Sequence, residues 1–455
     1  MERQGEDSGT RASPWLEGLL QERTAPLEAE IEVDAAVIGA GLTGLSTALA
    51  LREQGLSVAV LEQAWAGFGA SGRNAGHVTP WIGKDLPTLA MLFSRDTVRG
   101  LLALVEAAIA NVSGLLERYR IDCDYEPVGN FLAAVHPAQY PMVHRAARAA
   151  ERVGAPGEVL AAGELRRRGL PAAFRRAFFE PSGGLIHPGR FVRGLRRAAM
   201  EQGVRLYEGT PVDRIEQGEI VRLHTPLGRV RADRVVFATN AFSAGLGQVP
   251  RAPVRVYVYL FRTGRLSAAQ LERIDWRGRE GIYTGHEILE SYRLTPDGRI
   301  LGGSKFIRYG YGGRELTDDP RLFARLERAF RERFPELDDL PVADFWGGPI
   351  AFELDFLPAL GRAGRHRNIL YSHGYAGHGV ALASYAGTML ADLAGGRDGP
   401  GRALWERRGI PLPPEPFRWL IVHALAGLFG AMDARIDRAV RRATAARGRA
   451  QSGHS

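Results

Sequence analysis

Cysteine is almost absent. Cys123 is the single one in 455 residues, so no internal disulfide can form and a disulfide-built secreted scaffold is excluded. Lysine is nearly as scarce: Lys84 and Lys305 stand among 59 basic residues, and the other 57 are arginine. An apolar run long enough to span a bilayer, ~20 residues, is missing. The longest, residues 419–432, has fourteen residues with a histidine inside. It reads as a core or interfacial helix, with a membrane contact as the lesser alternative. The first thirty residues carry charges throughout and lack the apolar centre of a secretory signal, so a cytoplasmic location is expected. No internal repeat, Ser-His-Asp pattern, metal-ligand cluster or phosphoryl-transfer loop is visible. No resident metal is expected.

What is present is ordinary for a globular chain: 45% hydrophobic and 24% charged residues, which excludes disorder as the main state. The net charge of +8 invites a nucleic-acid reading. The arginines are scattered, however, and no basic stripe is interleaved with aromatics as single-strand binders require. No nucleic-acid partner is expected.

The pattern of elements predicts an α/β fold. It comprises a discontinuous dinucleotide-binding unit, a second domain with a mixed sheet, and a C-terminal helix. Residues 1–30 read as a leader over the domain. Residues 31–84, 184–245 and 341–395 form the dinucleotide-binding unit. Residues 85–183 and 246–340 form the second domain, and 396–455 a helical tail. Residues 85–180 read as mostly helical, with one strand candidate around Cys123 in "IDCDYEP".

Residues 31–62 read as strand, glycine turn, helix and strand. The turn is Gly39-Ala40-Gly41-Leu42-Thr43-Gly44, placed after an apolar strand and opening a helix. Gly39 allows the tight turn. Gly41 lets backbone N–H groups reach a pyrophosphate at the helix N-terminus, and Gly44 lets the helix lie close to the strand. Glu62, eighteen residues beyond Gly44, ends the next strand where an acid takes both hydroxyls of an adenosine ribose. It disfavours a 2′-phosphate and so NADP. The turn alone leaves FAD and NAD open. The following stretch, "GFGASGRNAGH", clusters glycines beside Ser71, and glycine is costly to order. A long cofactor lying extended through the domain needs this second wrapping loop, whereas NAD does not.

Three segments, "DAAVIGAGLTGLSTALALREQGLSVAVLE", "GFGASGRNAGHV" and "GYAGHGV", together resemble the FAD-dependent oxidoreductases of the D-amino-acid-oxidase type. With "WGGPI" and "DFLP" in residues 346–358 added, they lie nearest the gamma-glutamylputrescine and aminophosphonate oxidoreductase branch. The resemblance runs from about residue 14 to 430. It implies non-covalent FAD held by the ADP turn (Gly39, Gly41, Leu42, Thr43, Gly44), by Glu62 and Gln63, and by the wrapping loop Gly69, Ala70, Ser71, Arg73 and Asn74. It also implies Val212 at the adenine, Ala238-Thr239-Asn240 closing over the cofactor, and Gly377-His378-Gly379-Val380 against the flavin. A helix beginning near Val380 would aim its positive end at the flavin. The activity implied is oxidation of an amine or amino acid at a C–N bond, with hydride passing to the flavin and oxygen as acceptor. The alternatives are a dehydrogenase serving a quinone or carrier and a tRNA-acting member. No second glycine turn supplies an NAD(P)H site, and neither Cys123 nor His77 stands where a covalent flavin link would form.

For substrate and chemistry, Lys305 draws attention. In a chain that writes arginine almost everywhere, a lysine suggests a need for a compact cation over the flavin. His77, directly after the wrapping loop, is the second catalytic candidate. Arg308, Tyr309, His373 and Tyr375 are the substrate-binding candidates, Arg308 for an acidic group. His187 reads as structural, no role is carried to Glu353, and Trp346 and Tyr311 read as core or pocket wall.

Overall fold

Two sheets carry the chain in the computed structural model, which describes residues 13–247, 249, 253–397, 399 and 410–452. The first has the order Ala359–Ala363, Ile369–His373, Arg229–Phe237, Glu30–Ile38, Val58–Leu61 and Arg205–Tyr207. Neighbours run parallel except for the first pair. Val58–Leu61 shows why: its four consecutive apolar residues are all buried, as a strand covered on both faces must be. Arg214–Glu216 and Val221–His224 extend Arg229–Phe237 as a small antiparallel meander. Helices Leu42–Glu53 and Gly379–Ala394 pack against each other on one face of this sheet.

The second sheet has the order Val342–Phe352, Val254–Arg265, Arg299–Arg308, Ser291–Leu294, Gly281–Thr284, Asn130–Ala134, Arg176–Glu180 and Glu158–Ala161. One face buries Phe131, Phe261, Ile282 and Tyr292 with Leu322, Leu326 and Phe330 of helix Pro320–Arg333. The other turns Leu260, Leu301 and Trp346 towards Trp15. Residues 13–17 therefore lie across the junction: Ser13 caps a short turn, and Trp15 Nε1 donates to the Asn74 carbonyl at 2.9 Å.

The structure corrects the expected partition in several places. Val342–Phe352, expected in the dinucleotide unit, pairs with Val254–Arg265 at the edge of the second sheet. Within the stretch expected to be mostly helical, Asn130–Ala134, Glu158–Ala161 and Arg176–Glu180 are strands. Helix Arg95–Arg118, expected in the second domain, buries Val98, Leu101, Val105 and Val112 in the same core as Gly379–Ala394. Strand pairing and helix docking are non-local, and neither leaves a mark in the local pattern. No strand forms around Cys123. Only an isolated bridge joins Glu126 to Leu185, and burial pushes the enclosed thiol up to about 12.

The tail helix is Phe417–Ser452. Of the leader and tail, residues 1–12, 398, 400–409 and 453–455 lie outside the described residues. The helix docks through Asp433, whose carboxylate accepts from the Glu287 and Ile288 N–H groups at 2.8 and 3.0 Å. Its opposite side exposes Phe417, Leu420, Ile421, Leu425, Leu428 and Met432.

Candidate active site

The glycine turn sits at the carboxyl ends of the parallel strands. Gly39 has φ of +102°, its N–H donates to the Leu61 carbonyl at 2.8 Å, and Ala238 N–H donates to the Ile38 carbonyl at 3.0 Å. Strand ends 38, 61 and 238 are thereby locked together. Glu62 is buried behind the turn: Oε2 accepts from Ala40 N–H at 2.8 Å and Oε1 from Ala64 N–H at 3.0 Å. Burial nevertheless outweighs these bonds and pushes its carboxyl up to about 7. Helix Leu42–Glu53 begins at Gly41 with no side-chain cap of its own. Ser71 substitutes, its Oγ accepting from Leu42 N–H at 3.0 Å. The wrapping loop is thus fixed to the helix N-terminus, where phosphate would bind.

Arg73 and Asn74, expected to wrap the cofactor, are engaged with backbone groups of the loop and of residue 347. Arg73 Nε donates to the Phe68 carbonyl at 2.7 Å and Nη1 to the Gly347 carbonyl at 3.2 Å. Trp346 Nε1 returns a bond to the Arg73 carbonyl at 2.8 Å. Asn74 Nδ2 donates to the Ala70 and Ser71 carbonyls, and its Oδ1 accepts from Gly76 N–H. Gly69 and Ala70 form the start of the 3-10 turn Ala70–Gly72. Gln63 is exposed at the strand end, and Val212 is half-buried. Thr239 pairs with Ser243 through their hydroxyls at 2.8 Å, and Asn240 Oδ1 accepts from Gly374 N–H at 3.0 Å.

Helix Gly379–Ala394 starts where the sequence places it, with Gly377, His378, Gly379 and Val380 at its N-terminus. His77 enters from the other side. It is 7% exposed, its ring centroid lies 4.7 Å from that of Tyr283, and the Asn130 side chain lies beside it. Neither ring nitrogen makes a well-directed hydrogen bond, nor does His378 Nδ1. Burial, reinforced by Arg293, lowers His77 to about 3. Burial lowers His378 to about 4. Both imidazoles are neutral at physiological pH. Trp81 joins them, 5.3 Å from Tyr283 and 6.0 Å from His378 between ring centroids.

The remaining candidates lie elsewhere or are already engaged. The Lys305 ammonium pairs with Glu290 and, at 2.9 Å, with Asp437 of the tail helix. It is a member of a buried ion cluster rather than the available cation the sequence suggests. Arg308 lies 3.6 Å from Asp319 and donates to Tyr259. The Tyr309 hydroxyl donates to Glu415 at 2.5 Å. The Tyr375 hydroxyl is shared between Thr43 and Ser372, each at 2.8 Å, so it ties helix Leu42–Glu53 to the end of strand Ile369–His373. His373 is fully buried, stacks on Tyr371, and has Glu353 3.1 Å away. His187 caps helix Pro188–Glu201, as its structural reading expects.

Sequence reasoning missed Arg293, Glu208, Tyr283, Trp81 and Glu180. Arg293, 1% exposed, donates to the Gly76 and Ile186 carbonyls at 3.1 and 2.7 Å. Glu208 accepts from Thr24 and Ala66 N–H and pairs with Arg196 at 2.9 Å. Glu208 opens the stretch that carries Val212 and the others stand in no motif, but the partners of all five are distant in sequence, so no local signal marks their roles.

These residues fit FAD. An acid closes the second strand, backbone N–H groups crowd a helix N-terminus, and two neutral imidazoles stand after the wrapping loop and at the start of the last helix. Glu62→Gln should weaken FAD binding to the apoprotein by about 10- to 100-fold, the worth of one charge-assisted hydrogen bond. A ribose diol would donate to the ionised carboxylate. Wild-type affinity should therefore rise between pH 6 and 8 as Glu62 ionises, while the variant's stays flat. Fluorescence titration of apoprotein with FAD reads both.

Comparison with known proteins agrees with this site. The family model described as FAD dependent oxidoreductase matches residues 34–393. The gamma-glutamylputrescine oxidoreductase of Escherichia coli (strain K12) is 32% identical over 376 residues, covering 81% of this chain and 85% of that one. The glycine oxidase of Pseudomonas aeruginosa is 26% identical over 378 residues, covering 80% and 94%. Among solved structures, the glycine oxidase from Geobacillus kaustophilus has a TM-score of 0.69 at 22% identity, over 83% of this chain and 99% of that one. The L-proline dehydrogenase from P. horikoshii has a TM-score of 0.67 at 19% identity, over 82% and 96%. These two likenesses show the fold.

Proposed function

Since this chain belongs to the FAD-dependent oxidoreductase family and is an oxidoreductase of amines or amino acids, we propose that it oxidises the C–N bond of a small amine bound beside His77. The observation that carries this reading is the cluster of His77, Tyr283, Trp81 and His378. Burial holds both imidazoles neutral, the His77 ring nitrogens and His378 Nδ1 make no well-directed hydrogen bond, Tyr283 lies beside His77, and Trp81 lies beside His378. The flavin supplies a hydride acceptor; the protein's task is binding, orientation and exclusion of water.

His77, neutral at working pH, accepts a hydrogen bond from the substrate nitrogen and so holds it in its neutral, reactive form. The Tyr283 and Trp81 rings fix the adjacent carbon in place. Arg293 holds Gly76 and Ile186 by their carbonyls, which sets the position of His77. Helix Gly379–Ala394 would present its positive end to the negative charge that a bound flavin takes up with the hydride. Oxygen then takes the electrons, and the imine product hydrolyses in water. The likeness to the gamma-glutamylputrescine oxidoreductase of Escherichia coli supports an amine over an α-amino acid.

The test is anaerobic. Purified protein is mixed with amines, N-methyl amino acids, D-amino acids and aminophosphonates, and absorbance near about 450 nm is followed. A simple amine is expected to bleach the flavin, with colour and peroxide returning in air. Bleaching by amino acids alone would overturn the amine reading, and colour failing to return in air would overturn oxygen as the acceptor.

A further inference from the structure

The tail helix Phe417–Ser452 has two faces, and the protein uses one of them. Trp419 and Val422 pack against Val254, Val256 and Phe352 of the second sheet. Ile436 and Val440 join the core that holds helix Pro320–Arg333, and Asp433 accepts from the Glu287 and Ile288 N–H groups. These residues recur at helical spacing and make one docked stripe.

The opposite stripe faces solvent. Phe417, Leu420, Ile421, Leu425, Leu428 and Met432 are all exposed, along about 24 Å of helix. Exposed leucines met singly are ordinary, whereas such a row marks an interaction surface. At about 3.6 residues per turn, the same stripe continues through Arg435, Arg438 and Arg442. All three are exposed and make no ion pair among the described residues. Arg441 stands off the stripe and is answered by Glu332 at 2.8 Å. The acids of this stretch, Asp433 and Asp437, both turn to the protein, where Asp437 meets Lys305 at 2.9 Å. The outer stripe is therefore apolar along its first half and purely positive along its second, on a chain of net charge +8.

We propose that this stripe seats the enzyme on an anionic membrane surface, with the helix lying in the plane of the interface. The apolar half enters the acyl boundary, and the arginines meet acidic lipid headgroups. By length and composition Phe417–Ala443 could cross a bilayer. Crossing would strip Asp433 and Asp437 of their partners and leave both in hydrocarbon, so the docked side keeps the helix flat. Charge selects a membrane over a second copy of the chain. Parallel pairing of two stripes would set arginine against arginine, and full antiparallel overlap would set arginine on leucine. The surface is independent of which amine the enzyme oxidises.

The experiment floats the full-length holoenzyme with vesicles of phosphatidylcholine alone, and with vesicles in which about a third of the lipid is phosphatidylglycerol. Flavin absorbance reads the bound fraction. Binding to the anionic vesicles is expected to be at least about ten-fold tighter, and to weaken as salt rises from about 0.1 M to about 0.5 M. Leu425→Glu combined with Leu428→Glu should lower anionic-vesicle affinity at least about ten-fold. Arg435→Gln, Arg438→Gln and Arg442→Gln together should lower it by up to about 100-fold, at roughly five-fold per arginine, and leave binding to neutral vesicles unchanged. All five positions are exposed, so helicity, flavin content and activity in solution should match the wild type. No binding to either vesicle, or equal binding to both, would overturn the proposal. So would a dimer in sedimentation velocity that the paired leucine substitutions disperse, because a second copy would then cover the stripe. The wild-type comparisons of lipid and salt decide the matter even if a variant does not fold.

Discussion

Gly44→Ala should yield a protein that does not retain FAD. A Cβ at this position would lie 1.9 Å from the Gly39 carbonyl oxygen, 3.0 Å from the Gly39 carbonyl carbon and 3.3 Å from the Ala238 Cβ. The first two contacts are with backbone and cannot be relieved by a rotamer change. The helix must move off the strand, or the Gly39 peptide must turn away. Either displaces the N–H groups at the helix N-terminus and the Ala40 N–H that holds Glu62. The expected loss in FAD affinity is at least about 100-fold, roughly 2.8 kcal/mol, read from the flavin-to-protein absorbance ratio and from titration of apoprotein. Gly114 provides the control, since nothing lies within 4 Å of a Cβ there. On helix Arg95–Arg118, Gly114→Ala should keep its flavin and gain up to about 1 kcal/mol of stability. A yellow, stoichiometric Gly44→Ala protein would show that this turn does not hold the cofactor.

Glu290→Ala should be the most destabilising single change in the second domain. Glu290 is 1% exposed and receives Lys305, Arg333 through Nε and Nη2 at 3.1 and 2.9 Å, and the Tyr292 hydroxyl. Its loss leaves two buried cations with only Asp437, 2.9 Å from Lys305 and 3.7 Å from Arg333. Breaking such a pair from one side costs about 3–5 kcal/mol. Because Asp437 belongs to the tail helix, the docking of Phe417–Ser452 should loosen too. Urea unfolding, with proteolysis of the tail as a second readout, would measure this. A change below about 1 kcal/mol would sink the account of the cluster as a structural clamp.

The same cluster gives a pH dependence of defined sign. Burial opposes ionisation of Glu290, but Arg333 and Lys305 more than offset it and hold the carboxyl well below the usual range. A depressed carboxyl contributes stability that is complete above the unfolded value, about 4.3, and is lost as pH falls below it. Acid lability of the wild type should therefore be blunted in Glu290→Ala.

Lys305 shows where the sequence misleads. Its rarity is real, and a compact cation is needed, but for a crowded buried cluster. Its carboxylate partners lie fifteen residues before it, at Glu290, and 132 residues after it, at Asp437. Arg308 and Tyr309 err for the same reason, their charges and hydroxyl answered by Asp319 and by Glu415. His77 follows the glycine loop in sequence, yet nothing local foretells that Tyr283 lies against it with Arg293 nearby.

The sequence by itself determines the glycine turn, the acid that closes the second strand, the second glycine loop, the last helix at Gly379 and hence the FAD family. Those features depend on contiguous residues whose backbone geometry is dictated by glycine, by apolar periodicity and by a single acid at a fixed spacing. Tertiary structure alone decides that Val342–Phe352 joins the second sheet, that Arg73 and Asn74 brace a loop, that Lys305 is bound by carboxylates, and that Glu180 takes the Trp81 indole N–H. Each of these turns on burial or on a charge partner supplied from a distant part of the chain, and desolvation and pairing exist only once the two sheets have come together.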